Sequence, residues 1–229
     1  MLTVLSPAKS LNLESQKQTS RFSTPEFLDE AEALIKKLRR MSKKSLRELM
    51  GISEELAELN YERFNQWSRP FTTENAKQAA LMFNGDVYQG LQAEQFKARD
   101  LAFAQDHLRI LSGLYGVLRP LDLMQAYRLD TELVNLASNE YFKSVKARLL
   151  TGPVITPVFK EIKDGKSRTI ALFAKQARGR MAAWIIHNRI DQPDQLRDFN
   201  LDGYEFQADA STADKLTFSR PQPPPVGKK

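Results

Sequence analysis

The chain has 229 residues, of which 41% are hydrophobic and 27% charged, and its formal net charge is +6 at pH 7. This length supports a substantial hydrophobic core, and the composition is that of an ordinary globular protein. Cysteine is absent and only two histidines occur. Disulfides, thiolate nucleophiles, cysteine-ligated clusters and multi-histidine metal sites are therefore excluded.

The N-terminus, MLTVLSPAK, predicts a strand over residues 2–6. It lacks the basic lead, the long apolar run and the cleavage site of a signal peptide. No apolar run approaches the roughly 18 residues that a membrane span requires. We therefore expect a cytoplasmic protein with no membrane partner.

The first 125 residues are predicted to be mostly helical, because capping residues and glycines bracket their apolar periodicity. Ser23 or Thr24, Ser42, Ser53 and Thr73 are candidate N-caps. Segment 84–90 is predicted as a turn or loop. The predicted helices are 23–41, 42–51, 53–67, a segment starting at Thr73, and 100–111, which stops at Gly113.

The pattern then changes to β-branched and alternating apolar runs, which predict strands. These runs are 133–138, 153–161, 168–174, 203–211 and 215–220, with a hairpin turn at 163–166 and a helix over 175–190. The N-terminal strand is expected to join the later strands in one mixed sheet with surrounding helices. The predicted fold is a single α/β (mixed α+β) domain over 1–220, followed by a disordered proline-rich tail at 221–229.

Positive charge is concentrated in two blocks. Residues 140–180 contain ten basic and three acidic side chains, and KKLRRMSKKSLR at 36–47 contains seven basic and no acidic ones. Such blocks in a nearly balanced chain are typical of a protein that binds a polyanion. Alternatively, both blocks are simply solvent-exposed faces. The cations from Lys36 to Arg40 can also be explained by compensation of a helix dipole.

The stretch ILSGLYGVLRP at 110–120 places Gly113 and Gly116 after the helix predicted over 100–111. A helix followed by a glycine-containing turn resembles a helix-hairpin-helix element, whose backbone N–H groups hold a phosphate without contacting bases. The alternative is a helix C-cap followed by a packed turn.

The helix FAKQARGRMAAWIIHNRI has a clear core face, formed by Ala174, Ala177, Met181, Trp184 and Ile185. Lys175, Arg178 and Arg189 lie at the border of this face. Cations at such a border can line a cleft, or their aliphatic stems can simply cover the edge of the core. Aromatic residues do not alternate with the basic ones, which favours contacts to a duplex backbone over base stacking.

An enzyme acting on a nucleotide or another phosphate-bearing small molecule is the alternative function, and we do not assign an enzymatic activity. In that hypothesis Lys9 binds phosphate, Asp86 serves as a base or metal ligand, and Tyr88 or Arg128 positions the substrate. The simpler interpretations are a surface loop at Lys9 and an ordinary turn at Asp86. A protein-interaction scaffold is a third hypothesis.

Six phrases in order resemble the YaaA family of bacterial peroxide stress resistance proteins, covering nearly the whole chain up to Arg220. They are VLSPAKSL, FNGDVYQGL, LRILSGLYGVLRPLDLMQAYRL, NLASNEYFKSVK, VFKEIKDGK and FAKQARGRMAAWIIHNRI.

The resemblance implies a cytoplasmic, single-domain α/β protein with an unusual topology, a helix-hairpin-helix-like element and a positively charged cleft. It implies binding of double-stranded DNA and DNA junctions, and a role in iron homeostasis and in limiting hydrogen peroxide damage, with no catalytic activity tied to the family. We expect no cofactor, metal ligand or catalytic residue. We expect a monomer. The positions in family motifs that it marks as DNA-binding are Lys9, Gly113, Tyr115, Gly116, Arg119, Arg128, Lys143, Lys146, Lys160, Lys175 and Arg178.

Two departures from the family pattern stand out. Ala126 occupies a position where the family usually has proline. Only the five residues DTELV at 130–134 lie where the family pattern has a long insert that contains aromatic residues. Either this protein lacks that insert or the insert is missing from the sequence. Any wall of a cleft that this insert builds in relatives is therefore in question here.

Overall fold

The computed structural model describes residues 1–129 and 154–224. The chain forms two compact units. The N-terminal unit comprises residues 2–85 and 96–149, and the C-terminal unit comprises Met1, residues 86–95 and residues 150–229. The architecture is mixed α/β, which confirms the predicted fold class.

The described helices are α1 (Leu28–Leu38), α2 (Lys43–Met50), α3 (Glu54–Gln66), α4 (Ala79–Met82), α5 (Asp86–Leu91), α6 (Ala98–His107) and α7 (Ala171–Asn188). Short 3₁₀ turns occupy Ala93–Gln95, Pro193–Asp198, Leu201–Gly203 and Ala208–Ala210. The described strands are β1 (Thr3–Leu5), β2 (Lys77–Gln78), β3 (Leu108–Ser112), β4 (Gly116–Leu118), β5 (Leu123–Met124), β6 (Thr156–Lys163), β7 (Lys166–Arg168), β8 (Glu205–Phe206) and β9 (Lys215–Pro221).

Helices α2 and α3 begin where their capping residues predicted. The Ser42 hydroxyl accepts a hydrogen bond from Ser45 N, and the Ser53 hydroxyl accepts one from Leu56 N. Gly51 ends α2 in the left-handed conformation, with φ of 60°. Each cap satisfies a backbone N–H at the start of its helix. Helix α1 starts later than predicted, after Phe27, which makes no side-chain capping bond.

The glycine bend of the N-terminal unit joins two strands, not two helices. Helix α6 ends at His107, and β3 and β4 flank the bend as an antiparallel pair. Residues 108–112 alternate between buried and half-buried, which is the period of a strand. The predicted helix over 100–111 is therefore wrong beyond His107, and the predicted helix-hairpin-helix element is a β-hairpin.

The described residues of the N-terminal unit form two small sheets. Strand β1 pairs in parallel with β3, giving the order β1-β3-β4, and β2 pairs with β5. The N-terminal strand thus does not join the C-terminal strands, and the expected single mixed sheet is several separate sheets. The helix predicted from Thr73 is instead β2 followed by α4, and the predicted turn at 84–90 contains α5.

The C-terminal unit is built on the four-stranded sheet β7-β6-β9-β8, in which β6 and β9 are parallel. The predicted turn at 163–166 is confirmed: Asp164 and Gly165 both have positive φ, at 51° and 70°, as a tight two-residue hairpin requires. The strand predicted over 168–174 is wrong beyond Arg168, the last residue of β7, because α7 begins at Ala171.

The predicted core face of α7 is confirmed. Ala174, Ala177, Met181 and Ile185 are buried in one cluster with residues of β6 and β9, and Trp184 packs against it. Burial of this face places the cations at its border near the edge of the core. The predicted strand at 133–138 and the last residues of the predicted tail, 225–229, lie outside the described residues.

Candidate functional site

Two glycines let helices α5 and α7 of the C-terminal unit cross at backbone contact. A Cβ atom built on Gly90 would lie 2.1 Å from the Gln176 carbonyl oxygen, and one on Gly179 would lie 1.8 Å from the Val87 carbonyl oxygen. Carbon and oxygen atoms need about 3.5 Å between their centres. Only glycine fits at either position. The close crossing therefore determines which side chains of α5 lie next to α7.

The crossing brings Asp86, at the start of α5, to Lys175, on the first turns of α7. Asp86 Oδ2 lies 3.6 Å from Lys175 Nζ, and the two side chains are 32% and 54% exposed. An ion pair this exposed contributes about 0–1 kcal/mol. Lys175 is therefore oriented by Asp86 but remains accessible to a solvent-borne anion.

Arg178 lies one turn after Lys175 on the same side of α7. Its side chain is half-buried, and burial lowers the pKa of its guanidinium from the usual value. In the parts of the chain that the structure describes, no carboxylate or other acceptor contacts it. The structure thus brings two predicted site residues together, and among the described residues no anion compensates the charge of Arg178.

Lys160, the third predicted cation of the C-terminal unit, lies apart from this pair. It follows Phe159 on β6, and Phe159 is buried in the core cluster that includes α7. Because successive residues of a strand point to opposite faces, the Lys160 side chain lies on the face away from α7.

A buried polar cluster at the start of α7 was not predictable from local sequence patterns. Glu161 is 1% exposed. Its Oε1 accepts a hydrogen bond from Tyr204 Oη at 2.5 Å, and its Oε2 accepts one from Ile170 N at 3.2 Å. The Arg220 guanidinium lies over the Tyr204 ring, 4.3 Å from its centroid, with its Nε 3.8 Å from Glu161 Oε1. The carboxylate thus anchors the N-terminus of α7 to β6 and β9.

Burial, and then the hydrogen bond to Glu161, raise the pKa of Tyr204. The only sequence feature that could have indicated this cluster is the glutamate within the apolar run of β6. A charged residue in such a run is rarely buried unless it is paired. Its partners come from positions 204 and 220, which no local pattern connects to it.

The β3–β4 hairpin of the N-terminal unit contains three predicted site residues. Gly113 lies in its turn, and Gly116 follows with φ of 67° and the Phe27 ring 3.2 Å from where a Cβ would stand. Tyr115 is fully buried: its hydroxyl accepts hydrogen bonds from Trp67 Nε1 and Gln125 N and donates to Gln125 O. A side chain so enclosed is not accessible to DNA, and its place in the hairpin is structural.

Arg119, after β4, is held by a buried carboxylate. Its Nη2 lies 3.0 Å from Asp122 Oδ1, and it also donates to the Thr24 carbonyl oxygen. Asp122 is 1% exposed. The predicted charge of Arg119 is therefore largely used within the protein.

Lys9 and Arg128, two of the remaining predicted positions, belong to the N-terminal unit. Lys9 is exposed in the loop after β1, and Arg128 is half-buried after β5. Lys143 and Lys146 lie outside the described residues.

Residues 1–129 and 154–224 contain neither a helix suited to span a membrane nor a cluster of side chains suited to hold a metal ion. No helix there combines the length and apolar character needed to cross a membrane. The same residues contain no group of three His, Asp or Glu side chains placed to hold a metal ion.

Comparison with known proteins gives a consistent match. The sequence model of the family described as "Peroxide stress protein YaaA" matches residues 1–132 and 130–210. A UPF0246 protein of Cellvibrio japonicus (strain Ueda107) is 49% identical over 257 residues, covering 97% of this chain and 100% of the relative. A UPF0246 protein of Paraburkholderia phytofirmans (strain DSM 17436 / LMG 22146 / PsJN) is 46% identical over 256 residues, covering 96% and 98%.

The two segments matched by the family model meet at residues 130–132. This is where the sequence has only DTELV between two family motifs. The alignments, at 257 and 256 residues, are also longer than the 229 residues of this chain. The relatives therefore carry residues that have no counterpart here.

Proposed function

This chain belongs to the YaaA family of peroxide stress proteins, and from that premise we propose that it binds double-stranded and branched DNA without sequence preference. In this proposal lysine and arginine side chains neutralise backbone phosphates and release counterions. Lys175 and Arg178 of α7 make contacts of this kind.

The observation that supports the proposal most is that Arg178 is half-buried and its charge has no compensating partner within residues 1–129 and 154–224. Removing a cation from water is unfavourable unless an anion or hydrogen-bond acceptors replace the water. Burial lowers the pKa of Arg178, and no acceptor among the described residues contacts its side chain. A phosphate would supply the missing partner, and the planar guanidinium suits its oxygens.

Lys175 supports the same ligand. Its ammonium group is half-exposed and is only loosely paired with Asp86, so a phosphate can share or replace that carboxylate. Side chains three residues apart on a helix are neighbours. The pair can therefore contact one phosphate or two adjacent ones, and neither contact depends on the base sequence.

In this proposal the protein protects against peroxide by covering the DNA. The sequence contains no cysteine, so the chain itself cannot reduce peroxide through a thiol. A protein bound along the phosphate backbone would instead limit the access of iron-derived oxidants to the bases.

Fluorescence anisotropy of a labelled duplex, titrated at increasing salt, tests the proposal. Wild-type affinity should fall steeply with salt, with a log–log slope of about −0.9 for each phosphate contacted. K175Q/R178Q should flatten that slope by about 1 to 2 and weaken binding equally for unrelated duplexes.

The matched control is K215Q/R197Q, which removes two exposed charges from the same unit. Arg197 is paired with Asp194, and Lys215 is exposed on β9. Absence of binding at low salt, or equal effects of the two double variants, would contradict the proposed role of α7.

The proximity of Asp86 to Lys175 favours one second candidate, an enzyme acting on a nucleotide or another phosphate-bearing small molecule. A half-exposed carboxylate beside a cation can bind a magnesium-chelated phosphate or accept a proton. Thermal-shift measurements against a nucleotide panel, with and without magnesium, separate the two functions. Stabilisation by one nucleotide that Asp86→Asn abolishes would favour the enzyme.

A further inference from the structure

The basic block at 36–47 has seven cations, and the structure gives three of them partners. Lys36 Nζ lies 2.8 Å from Glu32 Oε1, and Lys43 Nζ lies 2.5 Å from Glu58 Oε1. Arg39 donates through Nε to the Phe64 carbonyl oxygen at the end of α3. These three side chains therefore have roles within the N-terminal unit.

The other four cations, Lys37, Arg40, Lys44 and Arg47, are exposed. Over the ranges 1–129 and 154–224, none of their side chains forms an ion pair or hydrogen bond. We call these four side chains the α1–α2 basic surface. An isolated exposed cation is ordinary, but four such cations within eleven residues make a concentrated positive field.

Compensation of helix dipoles accounts for Lys37 and Arg47, which lie in the last turns of α1 and α2, but not for Lys44. Lys36 and Lys37 lie in the last turn of α1, where a cation is favourable. Lys43 and Lys44, however, are the first two residues of α2, and the first turn of α2 contains no acidic residue. Cations at that end of a helix are unfavourable by some tenths of a kcal/mol each. The placement of Lys44 therefore opposes the local stability of α2, whereas that of Arg47 supports it.

The two helices direct these cations outward. Ile35 and Leu38 of α1, and Leu46 and Met50 of α2, are buried. At 100° per residue, Lys37 lies on the side of α1 opposite Ile35 and Leu38, and Lys44 and Arg47 lie about 60° apart on α2. Arg40 lies in the turn just beyond the end of α1. Arg40 and Lys44 are four residues apart, so their Cα atoms lie within about 14 Å of each other. The long side chains can reach a single stretch of a polyanion.

We propose that the α1–α2 basic surface binds the phosphate backbone of duplex DNA, as a contact surface separate from Lys175 and Arg178. The choice of DNA as the polyanion rests on the proposed function. A duplex carries one negative charge per roughly 1.7 Å of its axis. Four exposed cations on α1, on α2 and in the turn between them, unpaired among the described residues, complement that charge density without any pocket.

Other classes of partner fit this surface less well. Residues 36–47 contain no aromatic side chain, whereas single-strand sites use aromatic stacking and protein interfaces are enriched in aromatics and depleted in lysine. A helix that binds a membrane surface inserts an apolar face. In α2 the apolar residues Leu46 and Met50 are buried within the protein and cannot serve that purpose.

The test compares the salt dependence of duplex binding for the full chain and for K37Q/R40Q/K44Q/R47Q. Each phosphate that the variant no longer binds should flatten the log–log slope by about 0.9. We expect a decrease of about 2 to 3.5 and at least tenfold weaker binding near physiological salt. Circular dichroism should be unchanged because all four side chains are exposed.

The matched control is K17Q/R21Q/K97Q/R99Q, which removes four exposed charges from elsewhere in the same unit. It should change the slope by less than half as much. An equal effect would mean that net charge, not this surface, governs binding, and would overturn the inference.

The same titrations distinguish failure of the inference from failure of the proposed function. If K175Q/R178Q flattens the slope and the α1–α2 variant does not, the inference is wrong and the proposed function stands. If only the α1–α2 variant has an effect, the inference stands and the assignment of α7 fails. If the wild type binds no duplex at low salt, both are wrong. The inference would also be overturned if the α1–α2 variant kept its DNA binding but lost binding to an acidic protein or to anionic vesicles.

Discussion

Replacing Gly179 with alanine tests whether the backbone crossing of α5 and α7 controls the C-terminal unit. Gly179 lies inside α7, where alanine is intrinsically favoured over glycine by about 1 kcal/mol. Helix propensity alone therefore predicts that Gly179→Ala stabilises the protein. The packing of this position predicts the opposite.

The magnitude follows from the contacts of the added methyl group. It would lie 1.8 Å from the Val87 carbonyl oxygen and 2.8 Å from Leu91 N. Relief to about 3.5 Å requires the helices to separate by roughly 1.5 Å, because backbone atoms cannot rotate away as a side chain can. Overpacking of this kind costs about 3 kcal/mol, at the upper end of the usual range. After the gain in propensity, we expect a net loss of about 2 kcal/mol.

Urea unfolding followed by tryptophan fluorescence measures this loss, since Trp184 lies on α7 itself and packs against the core cluster. Ala33→Gly, at an exposed position inside α1, is the control for propensity and should cost about 1 kcal/mol. A Gly179→Ala protein as stable as the wild type or more so would refute the argument from close packing. Separation of the helices should also move Asp86 away from Lys175 and change duplex binding.

Two further predictions concern buried tyrosines. Tyr115→Phe should lower the free energy of unfolding by about 1–3 kcal/mol, because it leaves the buried Trp67 N–H without an acceptor. Urea titration measures this loss of stability. A loss no larger than that caused by Tyr61→Phe on α3 would contradict the prediction. Burial, with Glu161, raises the pKa of Tyr204 above its usual value of about 10. Above about pH 10 unfolded Tyr204 therefore releases its proton while the folded form keeps it, so stability falls with pH by up to about 1.4 kcal/mol per pH unit. Urea titrations across this range should give a shallower decline for Tyr204→Phe, and an unchanged decline would count against the burial argument.

Features that depend on neighbours in the chain were predictable from the sequence. The caps at Ser42 and Ser53, the left-handed Gly51 and the Asp164–Gly165 turn all follow from local backbone chemistry. The core face of α7 followed from helical periodicity alone. The six ordered motifs likewise indicated the family, which the comparisons confirm.

Features that depend on distant partners were not predictable. Residues 108–112 continue the apolar pattern of α6, and only pairing with β1 and β4 makes them a strand. Tyr115 was expected at a DNA surface, but partners at positions 67 and 125 enclose it. Periodicity describes one face of one element and carries no information about which other element covers that face.

The sequence by itself determined the family, the caps at Ser42 and Ser53, the Asp164–Gly165 turn, and the concentration of positive charge in two blocks. The tertiary structure decided which of those charges are available. Arg119 is held by Asp122, Lys36 by Glu32 and Lys43 by Glu58, whereas Arg178 and the α1–α2 basic surface have no such partners among the described residues. The physical reason is that an ion pair requires the two groups to lie within about 4 Å of each other, and folding alone sets that distance for residues far apart in the chain.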